Sequence, residues 1–139
     1  LTGQPDQERQ ILKESARLGR GMLRKIRDVC WKDYDALVIP GGLGLLTNYQ
    51  HSQAVADCVR YFAAASKPIA AMCAGIDFLR GLLGGDLLLE EVSPLKATEY
   101  CCDRQKKIFY TPAFKKTDSC YEIMQGIDAM IADFAKTSA

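Results

Sequence analysis

Residues 67–83, KPIAAMCAGIDFLRGLL, constrain the fold of this chain more than any other stretch. A short apolar run at 69–72, which opens after a proline, predicts a buried strand. Two small residues, Ala74 and Gly75, allow a tight turn, and beyond them apolar side chains recur at the three- and four-residue spacing of a helix. The pattern therefore predicts a strand-to-helix corner with Cys73 at its apex.

A cysteine at such a corner is suited to nucleophilic chemistry. It faces the carboxyl edge of a parallel sheet, beside free backbone N–H groups and the positive end of a helix dipole, and these favour the thiolate over the thiol. The alternative is a small buried residue that packs the helix onto the sheet, because free cysteine is among the most buried residue types. Residues 67–83 alone leave both interpretations of Cys73 open.

A glycine-rich turn ends a second apolar run of the chain. Residues 36–39, ALVI, are of the kind that is buried on both faces of a parallel sheet, and PGGLG follows at 40–44. Such a turn lets backbone N–H groups approach a ligand at the carboxyl end of a strand. The turn lacks the phosphate-loop pattern and is too short for the dinucleotide-binding fingerprint, so neither ligand class is predicted.

A predicted helix at 53–65 connects this turn with the cysteine strand and completes a right-handed βαβα unit. Parallel neighbouring strands direct both turns to the same edge of the sheet, which would bring Gly42 close to Cys73. This pairing favours the catalytic interpretation, because the backbone N–H groups of Gly42 and Ala74 would then form an oxyanion hole for attack of the thiolate on a carbonyl.

Further elements are predicted on both sides of this unit. An amphipathic helix at 6–20 stops at Gly19 or Gly21, and residues 22–26 form a short edge strand. A β-hairpin pairs 99–102 with 107–111, and a final helix starts near Thr117 as its N-cap. The predicted core face of that helix consists of Ile123, Ile127, Met130, Ile131 and Phe134.

The composition excludes several classes of function. The chain has 139 residues, enough for a single domain over 1–139, and its net charge of +1 gives no electrostatic basis for binding nucleic acid or an anionic membrane. No apolar run approaches the length of a membrane span, and the first residues lack the apolar centre of a signal peptide, so we expect an intracellular protein. The six cysteines are scattered, with no CxxC pair and one histidine in the chain, which argues against a zinc site and a disulfide framework.

Several segments together resemble one protein superfamily. DYDALVIPGG at 33–42, followed by KPIAAMCAG at 67–75, resembles the PfpI and class I glutamine amidotransferase-like superfamily. Within it the chain is most similar to the ElbB-type branch, the isoprenoid-biosynthesis-associated, glyoxalase-like proteins. The segments that match this branch are ERQILKESARLGRG at 8–21, IPGGLGLLTN at 39–48, KPIAAMC at 67–73, KKIFYTPAF at 106–114 and GIDAMI at 126–131.

The resemblance implies an α/β fold, a flavodoxin-like three-layer sandwich with a mostly parallel sheet. It also implies that Cys73 is a nucleophile with the Gly42 and Ala74 amides around it, and that the chemistry is weak and glyoxalase-like. Thiolate would add to the aldehyde of a small α-oxoaldehyde such as methylglyoxal, and proton transfer and hydrolysis would give a hydroxy acid. Glutathione, a metal and an organic cofactor are not needed. The residues that the matched segments assign to substrate binding are Gly41, Gly44, Asn48, Thr111 and Pro112.

The chain departs from the pattern of the family in three places. Leu1 matches a position after the family's first strand, helix and strand. Either the protein is a trimmed member, whose sheet lacks that unit and the glutamate that hydrogen-bonds the cysteine, or these residues are part of a longer chain that contains them. The segment between Leu83 and Ala97 is shorter than in the family. The histidine that the superfamily's amidotransferases and proteases carry soon after the cysteine has no counterpart at 76–100, which disfavours hydrolysis of the glutamine amide.

Two classes of function remain open. The first is a cysteine-dependent enzyme on small α-oxoaldehydes, in the cytoplasm or the mitochondrial matrix. The second is a non-catalytic regulatory or metabolite-binding module with a redox-sensitive cysteine, which the lack of the glutamate favours, because general acid–base assistance contributes about 10²–10⁴-fold to a rate. His51 is more simply an exposed residue at a helix start than a base for Cys73. Superfamily members are commonly dimers, so we expect a homo-oligomer.

Overall fold

The computed structural model describes residues 10–85, 87 and 92–138. The chain divides into two compact units, Leu1–Cys30 and Trp31–Ala139. The single domain over 1–139 therefore stays a prediction.

The first unit contains one α-helix among its described residues. Helix α1 spans Ile11–Leu18, and the N–H of Gly19 closes its last turn on the carbonyl of Ser15. The predicted stop at Gly19 is thus confirmed, and the part of the predicted helix before residue 10 lies outside the described residues. The strand predicted at 22–26 is wrong. Residues 22–25 belong to no strand: the run is exposed and carries charged side chains, and Ile26 begins a 3₁₀ turn at Ile26–Asp28.

The second unit alternates short strands with helices, as the sequence predicts. The elements follow one another in the predicted order: a strand, the glycine turn, a helix, the strand that ends at Cys73, and a second helix. The elements are a 3₁₀ turn at Trp31–Asp33, β1 at Leu37–Ile39, α2 at Gly44–Thr47, α3 at Gln53–Ala64, β2 at Ile69–Met72, α4 at Gly75–Leu83, β3 at Cys101–Asp103, β4 at Ile108–Thr111, a 3₁₀ turn at Ala113–Lys115 and α5 at Cys120–Ser138.

The strands form one sheet in the order β1-β2-β4-β3. β1 and β2 pair in parallel, as do β2 and β4, whereas β3 runs antiparallel to β4 with Cys101 opposite Tyr110. The predicted hairpin is therefore confirmed. The prediction that residues 36–39 are buried on both faces of the sheet is wrong, since Val38 is 44% exposed. The cause is its place in the sheet: β1 is an edge strand among the described strands and has β2 as its neighbour on one side.

Helices lie on both faces of this sheet, which gives the predicted three-layer, flavodoxin-like sandwich. On one face α5 covers a buried cluster, and on the other face α4 lies so close that a Cβ on Gly75 would be 3.1 Å from the Cβ of Ala71. Helix α3 packs beside α4. The cluster under α5 consists of Ala70, Met72, Phe109, Met130 and Phe134.

Helix α5 begins later than the predicted N-cap at Thr117. The hydroxyl of Thr117 accepts a hydrogen bond from the N–H of Ser119 at 3.2 Å, so it stabilises a turn before the helix. The first helical bond runs from the N–H of Ile123 to the carbonyl of Ser119 at 3.1 Å. The predicted core face is confirmed at Ile123, Met130 and Phe134, which are buried.

Candidate functional site

Cys73 lies at the corner between β2 and α4, in a strained backbone conformation. Its φ of +51° falls in the left-handed region that residues with a side chain rarely adopt. Two hydrogen bonds with β4 hold the corner: the N–H of Cys73 donates to the carbonyl of Thr111 at 3.1 Å, and the carbonyl of Cys73 accepts from the hydroxyl of Tyr110 at 3.2 Å. The side chain is half-buried and its thiol is free. The predicted strand-to-helix corner is confirmed.

The hydroxyl of Tyr110 is a dependable donor in this arrangement. Tyr110 is fully buried, and this burial, followed by the negative charge of Asp77, raises its pKa. The phenol therefore stays protonated and keeps donating to the carbonyl of Cys73.

The glycine turn after β1 lies directly against the cysteine. Gly41 and Gly42 both have a φ of +94°, which glycine adopts without strain. A Cβ on Gly41 would lie 2.6 Å from the carbonyl oxygen of Met72 and 3.1 Å from the Cβ of Cys73. Only glycine fits at residue 41, and the predicted convergence of the two turns is confirmed.

A cleft of about 460 Å³ opens where the two turns meet. It is lined by residues 40–43 and 72–74, by Ala113 and Phe114, and by Ile123 and Ile127 of α5. Apart from the thiol of Cys73, the side chains of these lining residues are apolar. The arrangement is a thiol beside exposed main-chain groups in an apolar cleft, which suits attack on an uncharged carbonyl compound.

Comparison with known proteins shows which proteins this chain resembles. The profile of the DJ-1/PfpI family matches residues 20–85, a segment that contains both the glycine turn and Cys73. The crystal structure of an isoprenoid biosynthesis protein with an amidotransferase-like domain, from Ehrlichia chaffeensis, superposes with a TM-score of 0.81 and 28% sequence identity. The match covers 92% of this chain and 71% of that chain. The chain therefore resembles the DJ-1/PfpI family over the segment that contains the glycine turn and Cys73.

The structural match also supports the ElbB-type branch of the superfamily, as the sequence predicts. It extends beyond the family profile through β3, β4 and α5, since it covers nearly the whole chain. The DJ-1/PfpI fold is therefore shared by the part of the chain that supplies Tyr110, Thr111 and the α5 wall of the cleft.

The two predicted oxyanion donors, Gly42 and Ala74, both line the cleft. Among the described residues, the N–H groups of Gly42 and Ala74 donate to no other main-chain group. Ala74 is buried and immediately precedes α4, whereas Gly42 is exposed. Both residues thus line the same cleft as Cys73, and the catalytic role of their N–H groups stays a prediction.

The residues predicted to bind substrate in the glycine turn separate into two groups. Gly41 lines the cleft next to Cys73. Gly44 begins α2, and its carbonyl accepts the N–H of Asn48 at 2.8 Å. Gly44 and Asn48 are not among the described residues that line the cleft, so the structure does not bring them to Cys73.

Thr111 and Pro112 lie behind the cysteine rather than in the cleft. Both are fully buried, and the hydroxyl of Thr111 donates to the carbonyl of Glu99 at 2.9 Å. Thr111 contacts the site through its carbonyl, which holds the N–H of Cys73. Their assignment to substrate binding stays a prediction, and the geometry gives Thr111 a supporting position.

Other residues of the cleft were not predicted from the sequence to belong to the site. Leu43, Phe114, Ile123 and Ile127 form the apolar walls, and Tyr110 supports the corner. Two features of the sequence could have indicated these residues. Leu43 and Phe114 directly follow the turns at the ends of β1 and β4, and the two isoleucines are four residues apart. That spacing indicates a core face but not which part of it stays open at the edge of the sheet.

Apart from the thiol of Cys73, the described lining of the cleft has no ionisable side chain. His51 is exposed in the turn before α3 and is not part of that lining. Asp77 of α4 and Lys115 form an ion pair, so each neutralises the other close to Tyr110 and Phe114. Within the described ranges no group of three or more metal-ligating side chains occurs, and no helix there is long and apolar enough to cross a bilayer.

Proposed function

We propose that this DJ-1/PfpI-like protein is a weak, cysteine-dependent glyoxalase-like enzyme that converts small α-oxoaldehydes such as methylglyoxal to hydroxy acids without glutathione. One observation carries the proposal: Cys73 is held at a left-handed corner, against Gly41 and at the wall of an apolar cleft of about 460 Å³. A strained turn that presents a nucleophile beside free N–H groups is the geometry of covalent catalysis.

The reaction follows from addition of the thiol across the aldehyde. The sulfur of Cys73 bonds to the aldehyde carbon, and the oxygen takes the negative charge and then a proton, which gives a hemithioacetal. The N–H groups of Gly42 and Ala74 stabilise the charged oxygen. Transfer of the proton on this carbon to the neighbouring carbonyl carbon, through an enediol, leaves a thioester of the hydroxy acid. Water hydrolyses the thioester and returns the thiol, so no oxidant or reductant is consumed.

The surrounding residues give this reaction a fixed geometry. Tyr110 and Thr111 hold the main chain of Cys73 from both sides of its peptide, so the sulfur needs no rearrangement to reach a carbonyl. The apolar walls exclude water from the charged intermediate and strengthen its hydrogen bonds to the main chain.

A second candidate function is a metabolite-binding or regulatory module with a redox-sensitive thiol. The observation that favours it is the lack of a carboxylate or imidazole among the described residues that line the cleft. Proton transfer along the hemithioacetal needs such a group or a water, and general acid–base assistance contributes about 10²–10⁴-fold. In a module the thiol would add reversibly to a carbonyl, and the reaction would stop at the hemithioacetal.

The two functions are distinguished by lactate formation from methylglyoxal. The purified protein, Cys73→Ser and the control Cys30→Ser, which removes an exposed cysteine, are each incubated with methylglyoxal, and lactate is quantified. Lactate from the wild type and Cys30→Ser but not from Cys73→Ser supports the enzyme. No lactate from the wild type, together with a reversible mass increase of one methylglyoxal at Cys73, supports the module instead.

We propose in addition that the protein is a homo-oligomer in a reducing compartment, the cytoplasm or the mitochondrial matrix. β1 and β3 are the edges of the described sheet, and Val38 of β1 is 44% exposed, so an edge is available for a second copy. The cysteines are free thiols, which suits a reducing compartment. Light scattering gives the mass in solution, and a mass of one chain would contradict the oligomer.

A further inference from the structure

The cleft beside Cys73 is larger than methylglyoxal requires. A volume of about 460 Å³ falls within the range of pockets that enclose whole metabolites, roughly 300–1,000 Å³. Methylglyoxal carries one methyl group next to its two carbonyls and leaves most of this space empty. The walls that remain uncovered are apolar, so the unused part of the cleft suits a hydrocarbon group.

The walls of the cleft come from three different elements. Leu43 extends from the glycine turn and Phe114 from the 3₁₀ turn after β4, and these side chains are 58% and 61% exposed. Ile123 and Ile127 lie one helical turn apart on α5 and supply a third part of the lining. Exposed leucine and phenylalanine side chains that line a cleft together with isoleucine gain apolar contacts when a hydrocarbon chain occupies the cleft.

The charges near the cleft exclude another class of ligand. None of the described lining residues carries a charged side chain, and the nearby Lys115 is paired with Asp77. A phosphate or carboxylate on the ligand would therefore lose its hydration in the cleft without gaining a cationic partner.

We infer that the cleft selects uncharged aldehydes and α-oxoaldehydes that carry an apolar chain of several carbons. The carbonyl carbon lies at Cys73, and the chain lies between Phe114 and the isoleucines of α5. This inference rests on the proposed function, because it takes Cys73 as the group that reacts. Methylglyoxal is then a small member of the ligand class rather than its best member.

The test uses thiol-reactive probes that differ in chain length, so it does not depend on turnover. Methyl and n-hexyl methanethiosulfonate each form a mixed disulfide with a thiolate and release methanesulfinate. Peptide-resolved mass spectrometry of the native chain gives the labelling rate of Cys73 relative to that of the exposed Cys30. Full burial of one methylene favours binding about fourfold, so a partly buried hexyl chain raises this ratio at least about tenfold.

Matched variants locate the effect in the cleft. Phe114→Ser removes an exposed aromatic side chain from the wall, and Tyr121→Ser removes one that is 70% exposed on α5 and is not part of the lining. We expect Phe114→Ser to lower the hexyl preference of Cys73 at least about threefold and Tyr121→Ser to leave it unchanged. Leu43→Ser, at another exposed position of the lining, is expected to act like Phe114→Ser.

The outcomes separate this inference from the proposed function. The inference is overturned if the labelling rate of Cys73 relative to Cys30 does not change with the chain length of the probe. It is also overturned if Tyr121→Ser lowers the hexyl preference as much as Phe114→Ser does. The turnover arm compares methylglyoxal with 2-oxooctanal, for which we expect kcat/KM to be at least about tenfold higher. If neither aldehyde is turned over while the hexyl preference holds, the inference on the ligand class stands and the enzyme proposal fails.

Discussion

The hydroxyl of Tyr110 donates a hydrogen bond to the main-chain carbonyl of Cys73 at 3.2 Å. This contact joins β4 to the corner that carries the thiol, and it satisfies a carbonyl that the next turn of α4 leaves free. The neighbouring Thr111 accepts the N–H of the same residue at 3.1 Å. Two consecutive residues of β4 thus hold both main-chain groups of Cys73, although the left-handed conformation of that residue is unfavourable.

Tyr110→Phe removes this bond without changing the shape of the side chain. The bond is partly buried, and a hydrogen bond typically contributes about 0.5–1.5 kcal/mol, so we expect the free energy of unfolding to fall by that amount in urea denaturation. Tyr121→Phe, which removes a hydroxyl from an exposed tyrosine, serves as the control and should change stability little. Equal stability of the two variants would show that the bond to Cys73 contributes nothing.

Gly41→Ala and Gly42→Ala form a matched pair at the turn beside the cysteine. Both positions have a φ of +94°, so alanine is strained at each by about 1–3 kcal/mol. A Cβ at residue 41 would in addition clash with the carbonyl oxygen of Met72, whereas one at residue 42 would meet nothing within 4 Å. We expect Gly41→Ala to destabilise the protein more and to change the labelling rate of Cys73. A larger loss of stability for Gly42→Ala than for Gly41→Ala would contradict the close contact between Gly41 and Met72.

Asp133 gives the fold a predictable dependence on pH. A hydrogen bond from the Tyr100 hydroxyl at 3.0 Å and then the guanidinium of Arg104 at 2.7 Å hold the pKa of Asp133 below its usual value. A carboxyl whose pKa is lowered on folding stabilises the protein above its unfolded pKa of about 3.9, and the contribution disappears as pH falls through the folded pKa.

The measurement for this prediction is the stability difference between the wild type and Asp133→Asn. We expect the difference to be constant from about pH 7 to pH 5 and to shrink as the pH falls below about 4. Asp128→Asn on the same helix is the control, because Asp128 is exposed and lacks these two contacts. A difference for Asp133→Asn that does not vary with pH would contradict the assigned cause.

Local sequence patterns predicted the strand and the helix on either side of Cys73. Features that depend on contacts between distant residues were not predicted. The strand at 69–72 and the helix after Gly75 agree with the structure, because an apolar run and a helical period depend on neighbouring residues alone. The exposure of Val38 depends on which strands flank β1, and such pairing is not encoded within the strand itself.

Prediction of the candidate site from the sequence has the same limit, because local patterns do not show which distant residues meet. Cys73, Gly41, Gly42 and Ala74 are predicted to meet because parallel strands end at one edge of a sheet, and they do. Thr111 is a plausible substrate ligand in sequence, but its hydroxyl is used by the carbonyl of Glu99, twelve residues away in the chain. Wall residues such as Phe114 become visible only when the turn after β4 and helix α5 are placed together.

The most direct test of the central claim is the native alkylation rate of each cysteine with iodoacetamide, resolved by peptide mass spectrometry. Exposure alone predicts that Cys30 and Cys120, which are exposed, react faster than the half-buried Cys73. The account predicts the reverse order, because the left-handed corner presents the sulfur of Cys73 to the cleft, where it can attack a carbon electrophile. Alkylation of Cys73 more slowly than that of Cys30 and Cys120 would contradict the account.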